Sequence, residues 1–161
     1  ASLLTTLNNL GHSQYKSREL NEAMTTYQHA LNLRKTKLLC LIAVENFDDA
    51  LLQVADRFAN DSFQEEMKGI ISDLLGGIAS TLNNIGLIHR DFGNMQDVLD
   101  VYKLSLSVWN IQPVHHYAAI AITAEKSGLL QFSMGMYDEA KISFFEALRV
   151  KKLKQGELTV D

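Results

Sequence analysis

Cysteine and proline each occur only once in the 161 residues. A lone cysteine excludes an intramolecular disulfide framework and sets the expectation of a reducing, intracellular and cytoplasmic setting. Cys40 lies in the apolar stretch "KLLCLIAV", where a buried thiol acting as a small hydrophobe is expected. Pro113 is expected to end one helix and open the next hairpin, because its ring cannot continue a helix and it pushes the preceding residue toward extended backbone. No apolar run approaches the ~18 residues that a membrane span needs. The formal charge of -4 is too small to argue for nucleic acid or a membrane surface.

The chemistry-bearing motifs are missing too. There is no G-x-S-x-G, Walker or dinucleotide-binding phrase, and "LLGGIAS" lacks the lysine of a phosphate loop, so Gly76 and Gly77 read as a helix end. His115 and His116 are adjacent and so point about 100° apart on a helix, a poor arrangement for chelating one ion. His12, His29 and His89 lie apart with no cysteine beside them. The acid pairs Asp48–Asp49 and Glu65–Glu66 read as helix-starting charges rather than an acid–base couple. No metal, no cofactor and no enzymatic activity are expected.

What the chain does have is apolar residue, 47% of it, enough for a continuous core. It also has a repeated phrase: "TLNNLG" at 6–11 returns as "TLNNIG" at 81–86. A fixed phrase recurring in a short chain points to helical units that cannot bury an apolar face alone and stack on their neighbours. Helical spacing dominates throughout. Leu3, Leu4, Leu7, Leu10 and Tyr15 define a first helix, "KSREL" interrupts it, and Leu20, Ala23, Met24, Tyr27, Ala30 and Leu31 form its return. A second clear copy runs from Ile78 through Leu82, Ile85 and His89, turns at "DFGN" with Asn94 as the N-cap, and returns along Val98, Tyr102 and Leu106. The last copy places Tyr137, Ala140, Phe144, Ala147 and Leu148 in the same order, which sets Gly128 where Gly11 and Gly86 stand. The step from Gly11 to Gly86 suits two units, so a degenerate copy is expected between them. "FDDALLQVADRF" would be its first helix, and "SFQEEMKGIISDLL", opened by a Ser62–Glu65 capping box, its second.

These positions resemble the tetratricopeptide repeat, and "LNNLG" with "NEAMTTYQHAL" looks like the 42-residue variety of kinesin light chains. The resemblance implies an all-α, right-handed solenoid of about four antiparallel hairpins, near residues 4–43, 47–76, 78–112 and 114–153. Val98 and Ser105 depart from it, standing where the family prefers alanine. The physical reason for the pattern is general: closely packed helices need a small residue at the contact and large ones beside it.

In this family the first helix of each hairpin lines a concave groove that receives a peptide or helix. Carried over, the groove should display Asn8, Asn9, His12, Tyr15 and Lys16, then Asn83, Asn84, Leu87 and Arg90, then Glu125, Leu129 and Phe132. The family's carboxylate clamp is disfavoured, since Asn8 and Asn83 occupy the places of its basic residues. The repeated asparagines either offer amides to a partner backbone or bond neighbouring helices. The implied function is a protein–protein interaction module, with no nucleic acid and no membrane insertion. The alternative is an assembly segment that stacks through its terminal repeats into a homo-oligomer or larger complex. With Ala1 first and no signal sequence before it, an excised or processed fragment is expected, which leaves open a parent with further repeats.

Overall fold

The computed structural model describes residues 2–112 and 116–156. They form α1 (Leu3–Lys16), α2 (Leu20–Ile42), α3 (Phe47–Ala59), α4 (Glu65–Asp91), α5 (Met95–Trp109), α6 (Tyr117–Ser133) and α7 (Tyr137–Gln155), with no strand among the described residues. The all-α solenoid expected from the spacing is what forms. The most extensive contacts are α1 with α2, α4 with α5, and α6 with α7; α2 then packs on α4, and α5 on α6. Three antiparallel hairpins are thereby stacked in chain order.

Local chemistry sets the helix starts. Ser2 opens α1 by accepting from the Thr5 amide at 3.3 Å, and Asn46 opens α3 by accepting from the Asp49 amide at 2.8 Å. Each hairpin turn contains one left-handed residue seven positions after its contact glycine: Arg18 (φ 66°), Gly93 (φ 81°) and Gly135 (φ 79°). The contact glycines Gly11, Gly86 and Gly128 each sit under a ring sixteen residues on. A Cβ there would lie 2.9 Å from Tyr27, 2.6 Å from Tyr102 and 2.9 Å from Phe144. Ala23, Ala30, Ala140 and Ala147 are buried at the same contacts. Val98 and Ser105 fill the alanine positions of the middle hairpin and are buried there, Ser105 Oγ donating to the buried carbonyl of Ala79 at 2.9 Å.

The interval between the first two hairpins differs from expectation. Seven helices form among the described residues rather than about eight, because Gly76 and Gly77 do not end a helix: α4 runs straight through them. Gly77 serves side-chain packing instead, its missing Cβ leaving room for the Arg34 guanidinium and Cδ. The long glycine-to-glycine step is taken up by a 23-residue α2, by α3, and by a 27-residue α4. α3 packs on α2, burying Ala50 and Val54. The Ser62–Glu65 capping box does not form. Gln64 holds the N-cap position without a side-chain bond, and Ser62 Oγ donates to the Asn60 carbonyl at 3.3 Å. Asn94 occupies the N-cap position of α5 as expected, again without a side-chain cap bond. Cys40 is exposed rather than buried. It lies between Leu38 and Ile42, which take the one face that α2 buries at this end, so Cys40 points to the other side. Pro113 and His115 lie outside the described residues.

Candidate functional site

The residues proposed for the groove divide into two groups. Tyr15 and Lys16 of α1 meet Arg90 of α4 in a crevice of about 270 Å³, bordered also by Arg18 and Asp91. Arg90 then borders a second crevice of about 250 Å³, shared with Val98, Tyr102, Lys126 and Leu129. Arg90 therefore borders both crevices, one against α1 and the other against α5 and α6. Beyond it, Leu129 and Phe132 are 60% and 59% exposed. Phe132 meets Tyr137 edge to face, with ring centroids 5.3 Å apart. Asn9, His12, Lys16 and Arg90 are exposed, and Asn84 and Leu87 half-buried.

Electrostatics concentrate on Asp91, which no sequence motif singles out. Its Oδ2 accepts from the Tyr15 hydroxyl at 3.0 Å and from Arg18 Nη1 at 2.9 Å, while Arg90 Nη2 lies 3.5 Å from Oδ1. Burial, followed by the hydrogen bond to Asp91, raises the Tyr15 phenol above its ordinary pKa. The hydroxyl of Tyr15 is thus held in place by Asp91.

Asn8 and Asn83 behave differently. Asn8 Oδ1 lies 3.3 Å from Thr81 Oγ1 and accepts from Arg34 Nη1 at 3.4 Å. Asn83 Nδ2 donates to Thr123 Oγ1 at 2.7 Å. Each asparagine stands three residues before its contact glycine, and each threonine five residues before the glycine of the following hairpin. The same pair of positions therefore meets at both junctions, bonded directly at the second and through Arg34 Nη1, which donates to both Asn8 and Thr81, at the first, where the Thr81 hydroxyl donates to the Gly77 carbonyl. Asn83 Oδ1 is buried without a hydrogen-bond partner among the described residues. Glu125, at the corresponding place in the last hairpin, pairs with Lys151 at 2.8 Å.

A second repeated bond was not anticipated from the spacing: Thr26 Oγ1 donates to Gln14 Oε1 at 2.7 Å, and Ser143 Oγ to Gln131 Oε1 at 2.7 Å. Both pairs are twelve residues apart and occupy the same places relative to Gly11 and Gly128, a signal visible once the glycines are aligned. Asp91 left no such signal, since the matching positions are Lys16 and Ser133. No group of three His, Cys, Asp or Glu able to hold a metal ion occurs among the described residues. No helix among them is long and apolar enough to cross a membrane.

The fold and its repeated contacts define a stacked helical-repeat chain. Residues 3–38, which comprise α1 and most of α2, match the tetratricopeptide repeat family. The same glycine-to-ring contact recurs in the two hairpins that follow, with alanines beside it in the last and Val98 and Ser105 in the middle one. No curated protein matches the chain. Among solved structures, a crystal structure of MamA is similar at 19% identity, covering 96% of this chain and 81% of that one, with a TM-score of 0.41. A second, of MamA protein, shares 17% identity over 98% of this chain and 97% of that one, with a TM-score of 0.38.

Proposed function

We propose that the chain is a non-enzymatic interaction module that binds a peptide or helix of another protein along the face running from α1 through α4 to α6. The observation that carries this reading is the pair of crevices that share Arg90 as a wall, with Tyr15 anchored beside one and Leu129 and Phe132 exposed beside the other. A partner's apolar side chains would be held by Leu87, Leu129 and Phe132, and its polar backbone by Asn9, Asn84 and Lys16. The test is capture of partner peptides from the source cell, followed by calorimetry with Leu129→Ser and Phe132→Ser variants. Exposed positions leave the fold intact, so affinity should fall about tenfold or more while the melting temperature holds. Unchanged affinity for both variants would remove the groove reading.

A second reading, assembly through the terminal hairpins, has its own support. Ile142 and Phe145 on α7 are 70% and 69% exposed, at places where the earlier hairpins carry Thr25 and Gln28, then Asp100 and Lys103. Leu3 and Leu10 on α1 are exposed where α4 buries Ile78 and Ile85. Light scattering over a concentration series decides between the readings. A dimer that Phe145→Asp dissociates supports assembly, and a monomer at every concentration supports the groove alone.

A further inference from the structure

Arg34 is 6% exposed, and its hydrogen-bond partners are all neutral: Thr81 Oγ1 at 3.1 Å, Asn8 Oδ1 at 3.4 Å and the Leu4 carbonyl at 3.5 Å. It forms no ion pair with an acid among the described residues. Burying a guanidinium costs far more than burying a neutral group unless an anion offsets it. Two of its partners are long bonds, and they leave donor capacity in the five-hydrogen fork unspent. The sequence has also made room for this side chain, since any residue larger than glycine at position 77 would collide with it. A buried cation, admitted at that cost and left without a counter-charge, stands beside a cavity larger than either crevice of the groove.

That cavity measures about 410 Å³ and is bounded by α1, α2 and the first half of α4, away from the Tyr15–Arg90–Leu129 path. Its charged residues are Arg34, Lys37 and Asp73, so the site carries one net positive charge. Leu4, Ile70 and Leu74 supply apolar wall. A monoanion neutralises this set, whereas a phosphate dianion would overshoot it and meet Asp73 at close range. An anion with a short aliphatic stem fits both the wall and the charge, and the planar fork of arginine matches a carboxylate in two-point contact.

We propose that the cavity between α1, α2 and α4 is a binding site for the carboxylate side chain of a glutamate on a protein partner, received by Arg34 and Lys37 with its methylenes against Leu4, Ile70 and Leu74. It is distinct from a groove clamp on a chain terminus, because its central cation comes from α2 rather than from α1 or α4. The proposal rests on the interaction-module reading only for the source of the carboxylate.

The test is titration with acetyl-Ala-Glu-Ala-amide, followed by NMR at the Arg34 Nε–H signal and the amides of Ile70 and Leu74. Acetyl-Ala-Gln-Ala-amide and inorganic phosphate are the comparison probes. The glutamate peptide should shift all three signals, and the glutamine peptide should leave them in place. Lys37→Ala, at an exposed position, should weaken the glutamate peptide roughly two- to fivefold, and Asp73→Asn should strengthen it by a similar factor. Equal shifts from the glutamine peptide, or no shift from the glutamate peptide, would overturn the proposal. Shifts from phosphate alone would replace it with a phosphate site. Movement of Leu87 and Leu129 without Arg34 would leave the groove standing and remove this site; the reverse would keep this site and count against the groove.

Discussion

Gly86 lies so close beneath Tyr102 that a Cβ on it would stand 2.6 Å from the ring carbon Cε1. Tyr102 is buried, so its ring has no open space to move into and the contact opens by separating α4 from α5. Gly86→Ala should therefore destabilise the fold by about 1–3 kcal/mol. Gly69, on the same helix, faces open space, where a Cβ would meet nothing within 4 Å. Gly69→Ala should stabilise by about 0.5–1 kcal/mol through helix propensity alone. Urea denaturation midpoints moving in the same direction for both variants would contradict this contact.

The turn glycine Gly135 also has open space around it, yet the same substitution should there have the opposite sign. Its φ of 79° is a conformation that costs a side-chain-bearing residue about 1–2 kcal/mol. Gly135→Ala should lower stability by about that amount. At the matching turn of the first hairpin, Arg18 already bears this cost at φ 66°. Its ion pair with Asp91 is exposed on the arginine side and returns no more than about 1 kcal/mol. Arg18→Gly should consequently be neutral to mildly stabilising, as read by thermal melting.

Burial, with a smaller contribution from Tyr15, pushes the Tyr27 phenol up from 10.0 to about 12. The neutral phenol is the form that the fold accepts. Below pH 10 the folded and unfolded chains are both protonated at this residue and its contribution to stability is complete. Between about 10 and 12 the unfolded chain releases the proton first, so stability falls as pH rises through that window. Denaturation midpoints measured across it should decline, and Tyr27→Phe should flatten the decline. A slope unchanged in that variant would assign the effect to other groups.

The Asn83–Thr123 bond predicts a coupling rather than a single cost. Asn83→Ala and Thr123→Val should each destabilise by about 0.5–1.5 kcal/mol, and the double variant by less than their sum. Asn9→Ala, at an exposed position, should stay within about 0.5 kcal/mol of the parent. Additive effects at positions 83 and 123 would mean that the bond does not tie the two hairpins.

Much of the fold was legible in the residues because its rules are local and periodic. The spacing of Leu7, Leu10 and Gly11, and of Ala23, Tyr27 and Ala30, follows from helix geometry and from the need for a small residue opposite a ring. Tyr15, Lys16 and Arg90, three of the residues carried over from the family resemblance, border one crevice. The glycine pair at 76–77 misled for a physical reason. The same residue type serves a helix end and a close side-chain approach, and nothing local distinguishes them. Only the arrival of Arg34 from α2 shows which applies.

By itself, then, the sequence determined the helices, the turns and the glycine-to-ring contacts within each hairpin, because these depend on residue type at fixed short spacing. Tertiary structure decided the rest. The Tyr15 hydroxyl finds Asp91 across 76 residues, and Arg34 reaches Thr81 across 47. Asn83 is spent on Thr123 directly, while Asn8, at the same place in the twin phrase, meets Thr81 through Arg34. Such pairings are set by how one hairpin settles on the next. That settling is a sum over many contacts that no single spacing in the chain encodes.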